Sequence, residues 1–494
     1  MERRLDDAAR RRGAHYTPAD LADGVAARAL PTVPRGARVV DPACGAGALL
    51  LAAGRRLVAA GEDRAAVARA QLWGADIDPV AVAVAEAAIA LWSGGTAPAA
   101  GHLVVGDPLR HGAGVWPDAP TEGFAAVVGN PPFQGQLARA TARAVAETEA
   151  LRARFDAALG PYVDTAALFL LVGVDLAAPG ARVAMVQPQS TAAARDAGAV
   201  REALAGRAAL VDLWAPPGRV FAARVHVCVP VLEVGRLDPD PGWSARLAAA
   251  SGVPPVALPD VGTVADRASV VASFREHHYA LAPHVTEAPD DGRAPHPLLT
   301  SGLIDLGGHR WGRAPVRFDK RRWERPVVDV AAAAASHRRL RTWLPQVLRP
   351  KLVVATQTRV LEAAPDPLGD LVPTTPTVSV LPHDPAALDA LLVAVCAPPA
   401  TAWLAARMAG SGLTSDALRV PAALVGALPL PADDRHLGAA VAALRAGDLR
   451  AFGEAATAGY RLPDREAERV LGWWLPRAEG TGVGNRAART MGER

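Results

Sequence analysis

The sequence predicts an α/β protein: a mostly parallel sheet covered by helices on both faces, followed by a second domain of mixed α+β character. Short apolar runs alternate with helical stretches over the first half of the chain, and parallel strands need such crossovers. Near Gly235 the text turns Pro-, Ala- and Asp-rich, as in Leu237-Asp238-Pro239-Asp240-Pro241. Beyond it, strand-like and helical segments resume without that alternation.

Taken in order, Ala37-Arg38-Val39-Val40 reads as a strand, Asp41 to Gly47 as a glycine-bearing turn, and the Ala/Leu-rich text up to Gly61 as a helix. Leu72 to Ala75 is the second strand. Asp78-Pro79 supplies the N-cap and first residue of a helix running to Trp92 and closed near Gly94. Further strands are predicted at Leu103–Val105, Ala125–Val128, Arg182–Val186, Leu210–Leu213 and Val225–Val234. In the second half, Lys351–Ala355 and Thr377–Leu381 read as strands and Pro385–Cys396 as a helix. The expected organisation is a catalytic domain at 1–235, a boundary or linker at 236–297, a second domain at 298–475 and a disordered tail at 476–494.

With 494 residues, 50% hydrophobic and 21% charged, the chain lies in the globular range and outside the disordered and collagen-like ones. Its three cysteines, Cys44, Cys228 and Cys396, form no CxxC pair, so neither a disulfide framework nor a thiolate zinc site is expected. No histidine spacing suggests a metal, and none is expected. The apolar run Ala166–Val174 falls well short of the ~20 residues of a membrane helix. The charged N-terminus lacks the apolar core of a signal peptide. A cytoplasmic protein with no membrane partner is the expectation.

The net charge of +3 conceals a skew, because Lys320 and Lys351 are the only lysines. Arginine abundance therefore says little by itself, and clustering has to carry any argument for nucleic acid. Between Ser301 and Arg359 thirteen Arg/Lys face four acids. This is either a phosphate-contacting surface or an ordinary solvated arginine face.

Asp41-Pro42-Ala43-Cys44-Gly45-Ala46-Gly47 follows a strand and precedes a helix, where small residues let backbone approach a ligand and helix N–H groups stand free. It is either a cofactor loop or a tight connection. Asp76 ends the next strand on the same sheet edge, where a carboxylate can accept ribose hydroxyls. Asp107, in Gly106-Asp107-Pro108-Leu109, falls on that edge again and could meet an adenine amino group. The fourth strand leads into Asn130-Pro131-Pro132-Phe133. Successive prolines remove donors and leave carbonyls outward, so Asn130 Oδ1 and the Pro131 carbonyl can accept from one amino group. Phe133 offers a face on which a planar base could stack, or else fills the core.

Read together, His15-Tyr16-Thr17-Pro18, DPACGAG at 41–47, GADIDP at 74–79, GDPL at 106–109 and NPPF at 130–133 resemble the N6-adenine DNA methyltransferases, specifically the gamma class. The resemblance covers about residues 13–432 and is firmest over the first 235. It implies a Rossmann-like class I methyltransferase domain with a C-terminal target-recognition domain, as in type II and IIG restriction-modification methylases. It further implies S-adenosylmethionine held by Tyr16, Thr17, Asp41, Ala43, Gly45, Asp76 and Asp107, and a target adenine held by Asn130, Pro131, Pro132 and Phe133. Phe221 stands where the family presents a second aromatic. Arg310, Arg313, Arg317, Lys320, Arg321, Arg322 and Lys351 are the expected DNA contacts. The implied reaction is methyl transfer to N6 of a flipped-out adenine in double-stranded DNA. A separate restriction nuclease or defence-complex subunits are candidate partners. Methylation of RNA adenine or protein glutamine, or a non-catalytic DNA-binding subunit, are the rival readings.

Overall fold

The structure is a computed structural model that describes residues 17–133, 145–158, 160, 162–216, 220–221, 226–238, 242–289, 295–411 and 417–480. The chain divides into two compact units, Met1–Ser251 and Gly252–Arg494.

The first unit is organised on an eight-stranded sheet. Its strands are β1 (Val39–Asp41), β2 (Leu72–Asp76), β3 (Leu103–Val105), β4 (Phe124–Gly129), β5 (Ala177–Met185), β6 (Gln187–Pro188), β7 (Ala208–Trp214) and β8 (Val227–Val234). The order is β3-β2-β1-β4-β5-β8, with β6 and β7 also pairing with β8. The first five strands are parallel, with Val39 opposite both Leu72 and Ala126. β8 runs antiparallel to β5, β6 and β7, so it alone is reversed, and the sheet is mostly parallel, as expected. Because β1 leads to β2 on one side and neighbours β4 on the other, the strand order reverses between β1 and β4. A crevice for a ligand forms at such a reversal.

Alternation along the buried strands explains how both faces are covered. Val39, Ala126, Val128, Ala184 and Val186 pack with Leu21, Val25, Leu49 and Leu50, from the helices Ala19–Ala29 and Ala48–Ala59. The intervening Val127, Val183 and Met185 face the helix Thr165–Leu176 at Gly173, where an added Cβ would lie 2.6 Å from Val183. That helix holds the apolar run seen in the sequence and is buried except at Asp175. Among the described residues no single helix is long and apolar enough to cross a membrane.

The expected linker at 236–297 is corrected. The unit boundary falls within it, but the segment is mostly folded: Trp243–Ala250 is a helix of the first unit. Ala268–Ala272 is a strand of the second, paired residue by residue with Thr377–Pro382. The expected tail also starts too early, since the helix Asp464–Glu479 continues past residue 476; residues 481–494 lie outside the described residues.

In the second unit, Ala363–Asp366, Lys351–Ala355, Thr377–Pro382 and Ala268–Ala272 form an antiparallel sheet in that order. Helices Leu388–Cys396 and Pro398–Met408 contribute Leu391, Leu392, Ala400 and Leu404 to the core beside its Val354, Val378 and Val380. A second core gathers Leu298, Ile304, Phe318, Trp343 and Val353.

Candidate active site

The loops that follow β1, β2, β3 and β4 all leave the same edge of the first unit's sheet, because those strands are parallel. After β1, Asp41 accepts the Ala43 N–H through Oδ1 at 3.0 Å, an Asx turn that starts the loop. Gly45 (φ +51°) and Gly47 (φ +81°) then take left-handed conformations that glycine adopts without strain. Gly47 leads directly into the helix Ala48–Ala59, and its absent side chain matters because a Cβ there would lie 3.1 Å from that of Ala85. At Gly45 a Cβ would meet nothing within 4 Å, so the loop faces open space.

Asp76 braces this loop. Its Oδ2 accepts from the Gly45 N–H at 2.9 Å and its Oδ1 from the Asp78 N–H at 2.9 Å. Each carboxylate oxygen keeps a second lone pair, so the ribose role read from the sequence stays open to it. Sequence reasoning missed its neighbour Ile77, which is 61% exposed. A large apolar side chain left in water beside an acidic strand end can pack against a planar ring; the signal lay in GADIDP but was read only for its acids. Asp107 caps the short helix Pro108–His111 through the Leu109 N–H at 3.0 Å and meets Arg110 Nε at 3.2 Å. Its loop is tied to β2, with Gly106 N–H donating to Asp76 O.

Asp41 is 1% exposed, and burial, aided by the nearby Asp76, pushes its carboxyl up from 3.8 to about 8 despite the Ala43 hydrogen bond.

After β4, Asn130 is half-buried and Pro131 buried. Asn130 Nδ2 donates to Thr17 Oγ1 at 3.0 Å, joining segments 113 residues apart. Phe133 and Phe221 also come together, with ring centroids 6.2 Å apart and planes at 77°. Phe221 is 6% exposed and sits in the core against which Phe133 packs. In this arrangement it supports Phe133 edge-on and does not offer a second stacking face. Tyr16 lies outside the described residues.

The basic stretch divides. Val316–Phe318 and Arg321–Trp323 form a hairpin whose two-residue turn, Asp319-Lys320, has φ of +45° and +64°. Val316, Phe318 and Trp323 are buried, and the Trp323 indole donates to Phe318 O at 3.1 Å. Arg317 is paired in register with Arg322 on the opposite face, and both are exposed, as are Arg313, Lys320 and Arg321. Arg310, by contrast, donates to Gly302 O at 2.7 Å and pairs with Asp305, leaving its side chain only 12% exposed. The expectation for Lys351 is overturned: it is fully buried in an ion pair with Asp366 and cannot reach a phosphate. A cavity of about 410 Å³ elsewhere in the second unit has Asp433 in its wall, but Arg435 and Arg461 already hold that carboxylate.

A doubly wound sheet with a glycine loop after β1, acids after β2 and β3, and an Asn-Pro-Pro-Phe turn after β4 has the fold of a class I methyltransferase domain. The family model described as N-6 DNA Methylase matches residues 1–240. The type IIL restriction-modification enzyme MmeI, solved in complex with DNA, aligns over 97% of this chain and 80% of its own, at 13% identity and a TM-score of 0.57. A modification subunit assigned to a type I restriction enzyme of Vibrio vulnificus YJ016 aligns over 48% of each chain, at 21% identity and a TM-score of 0.38. A type I restriction-modification methyltransferase subunit of Streptococcus thermophilus aligns over 45% of this chain and 46% of its own, at 19% identity and a TM-score of 0.36. The aligned part spans about half the length of these two subunits. A sequence search among curated proteins finds no match.

Proposed function

We propose that the chain is a site-specific DNA methyltransferase that methylates N6 of adenine in duplex DNA, as the modification component of a restriction-modification or related defence system. The observation that carries this reading is the Asn130 side chain. Its Nδ2 is held by Thr17, and its Oδ1 meets no hydrogen-bond donor among the described residues. An adenine N6 placed at this turn donates one hydrogen to Asn130 Oδ1 and the other to the Pro131 carbonyl. Both acceptors draw the nitrogen lone pair out of conjugation and aim it toward the cofactor, so the work is positioning and electrostatics. The base reaches this turn only after leaving the duplex stack, and the Phe133 ring receives its face.

The residues of the first loops fit S-adenosylmethionine, which supplies the methyl group. The space above Gly45 admits a ligand, Asp76 and Ile77 offer a carboxylate and an apolar surface side by side, and the buried Asp41 carboxyl suits a neighbouring cation. The Thr17-Pro18 segment, placed ahead of the cofactor loop in sequence, supports the gamma-class reading. The second unit takes the part of the target-recognition domain. Arg317, Lys320, Arg321 and Arg322, carried out from a buried Trp/Phe base, would contact phosphates and set the duplex in register.

The test is incubation of the protein with radiolabelled S-adenosylmethionine and unmethylated DNA, with RNA and cell protein in parallel, then nucleoside analysis. Label in N6-methyladenine of DNA is expected. Label confined to RNA or protein would overturn the substrate assignment, and no transfer despite cofactor binding would favour a non-catalytic subunit.

A further inference from the structure

We propose that Thr17 is a positioning residue for Asn130: its hydroxyl takes up the Nδ2 end of the amide, so that Oδ1 can face an incoming amino group with every polar group of the pair satisfied. The proposal rests on the methyltransferase reading above for its catalytic consequence, but not for its structural content.

An asparagine side chain is nearly symmetric in shape and opposite in chemistry at its two ends. With Oδ1 toward the incoming amino group it accepts a hydrogen; turned over, it presents Nδ2 and two donors meet. The backbone of the turn does not distinguish these states, since a rotation about the Cβ–Cγ bond exchanges them. Nδ2 donates to Thr17 Oγ1 at 3.0 Å, and Thr17 is only 8% exposed, so this acceptor stands in a largely water-free position. A hydroxyl can donate as well as accept, so Thr17 alone permits either orientation. Once an amino group arrives on the other side, only one arrangement satisfies every group: Nδ2 toward Thr17 and Oδ1 toward the amino group. The reversed amide leaves a donor against a donor.

Thr17 is itself rigidly placed. It immediately precedes Pro18, which caps the helix Ala19–Ala29 and whose carbonyl accepts from Ala22 N–H at 3.0 Å. That helix is seated by buried Leu21, Ala22, Val25 and Ala26, and at Gly24 it lies so near Trp214 that a Cβ would fall 2.4 Å from the indole. The sheet strand that ends in Asn130 and the helix that begins after Thr17 thus set the two partners independently.

The test compares Thr17→Val, which keeps the shape and removes the acceptor, with Thr17→Ser, which keeps the hydroxyl. Melting temperature checks that both fold. S-adenosylmethionine affinity is measured by calorimetry, and methylation of unmethylated DNA at saturating cofactor gives kcat. Thr17→Val is expected to lower kcat by roughly ten- to hundred-fold, with cofactor affinity changed less than about three-fold, and Thr17→Ser to restore most of the rate. A parallel loss of cofactor affinity with kcat intact at saturation would overturn the proposal and make Thr17 a cofactor contact only. Neutron crystal structures of the wild type and Thr17→Val, in which the amide deuterons mark Nδ2, give a readout that needs no turnover. A turned or multiply placed Asn130 amide in the variant supports the proposal, and an unchanged one sinks it. If the wild type forms no N6-methyladenine, the substrate reading has failed, and the crystallographic comparison still decides the role of Thr17.

Discussion

Lys351 and Asp366 stand opposite each other on neighbouring antiparallel strands of the second unit, both essentially without solvent contact, and form an ion pair there. Asp366 also accepts from the backbone N–H groups of Gly369 at 2.8 Å, Asp370 at 3.2 Å and Leu371 at 3.1 Å. The pair therefore fixes the turn after its strand as well as the strand itself. Replacing Lys351 by Ala leaves a buried carboxylate without its cation. The expected cost is about 3–5 kcal/mol, seen in calorimetry as a lowered melting temperature. DNA affinity at a temperature where the variant is folded should keep its salt dependence, because this lysine is not on the surface.

Asn130→Ala removes the acceptor that the reaction needs while leaving the cofactor loop intact. Methyl transfer should fall by at least about a hundred-fold, with S-adenosylmethionine affinity nearly unchanged. Radiolabel transfer and calorimetric titration check the two halves separately; retained turnover would remove Asn130 from the acceptor role.

Asp41 links stability to pH in a definite direction. Its carboxyl is held near about 8 in the folded chain and returns to an ordinary value on unfolding. Between those values the folded state carries a proton that the unfolded state has lost, so stability declines as pH rises across the window. Asp41→Asn lacks this term. The melting temperature of the variant relative to wild type should therefore climb from pH 5 toward pH 8, and a flat difference would refute the assignment. A cationic cofactor stabilises the ionised form, so its affinity in the wild type should rise over the same range.

The exposed hairpin gives a prediction about binding rather than chemistry. Arg317 and Arg322 are like charges in direct cross-strand register, which disfavours the pairing; Arg322 Nε also meets Glu324 at 3.3 Å, an exposed pair that a phosphate can displace. Arg317→Ala and Arg322→Ala should each weaken duplex binding to a similar degree on all sequences and reduce the slope of log affinity against log salt by about 1. Fluorescence anisotropy over a salt series measures both. An unchanged slope would place the phosphate contacts elsewhere.

The first unit was largely legible in the sequence, because buried parallel strands appear as apolar runs bounded by turn residues. β3 has the predicted ends, β2 gains only Asp76, and Asp78 caps its helix through the Val80 N–H as the Asp-Pro pair implied. Asp41 and Asp76 were legible as strand ends for the same reason, since each closes such a run. Other features depend on distant partners. That Thr17 meets Asn130 is a property of tertiary packing across 113 residues, with no local pattern to announce it. Lys351 opens an apolar strand much as a surface lysine would, and only Asp366 across the ladder reveals that it is internal. The second unit was obscure because many of its strands are two or three residues long, too short for any period to show.

Every described residue placed around the cofactor loop and the Asn-Pro-Pro-Phe turn, from Thr17 to Phe221, belongs to the first unit, which ends at Ser251. A single genetic crossover between Ser251 and Gly252 would exchange the entire second unit while cutting no helix and no strand. On the proposed reading, the chemistry of marking and the choice of what is marked are in this way separately heritable. A lineage carrying such chains would then change its address by recombination and inherit a finished catalyst.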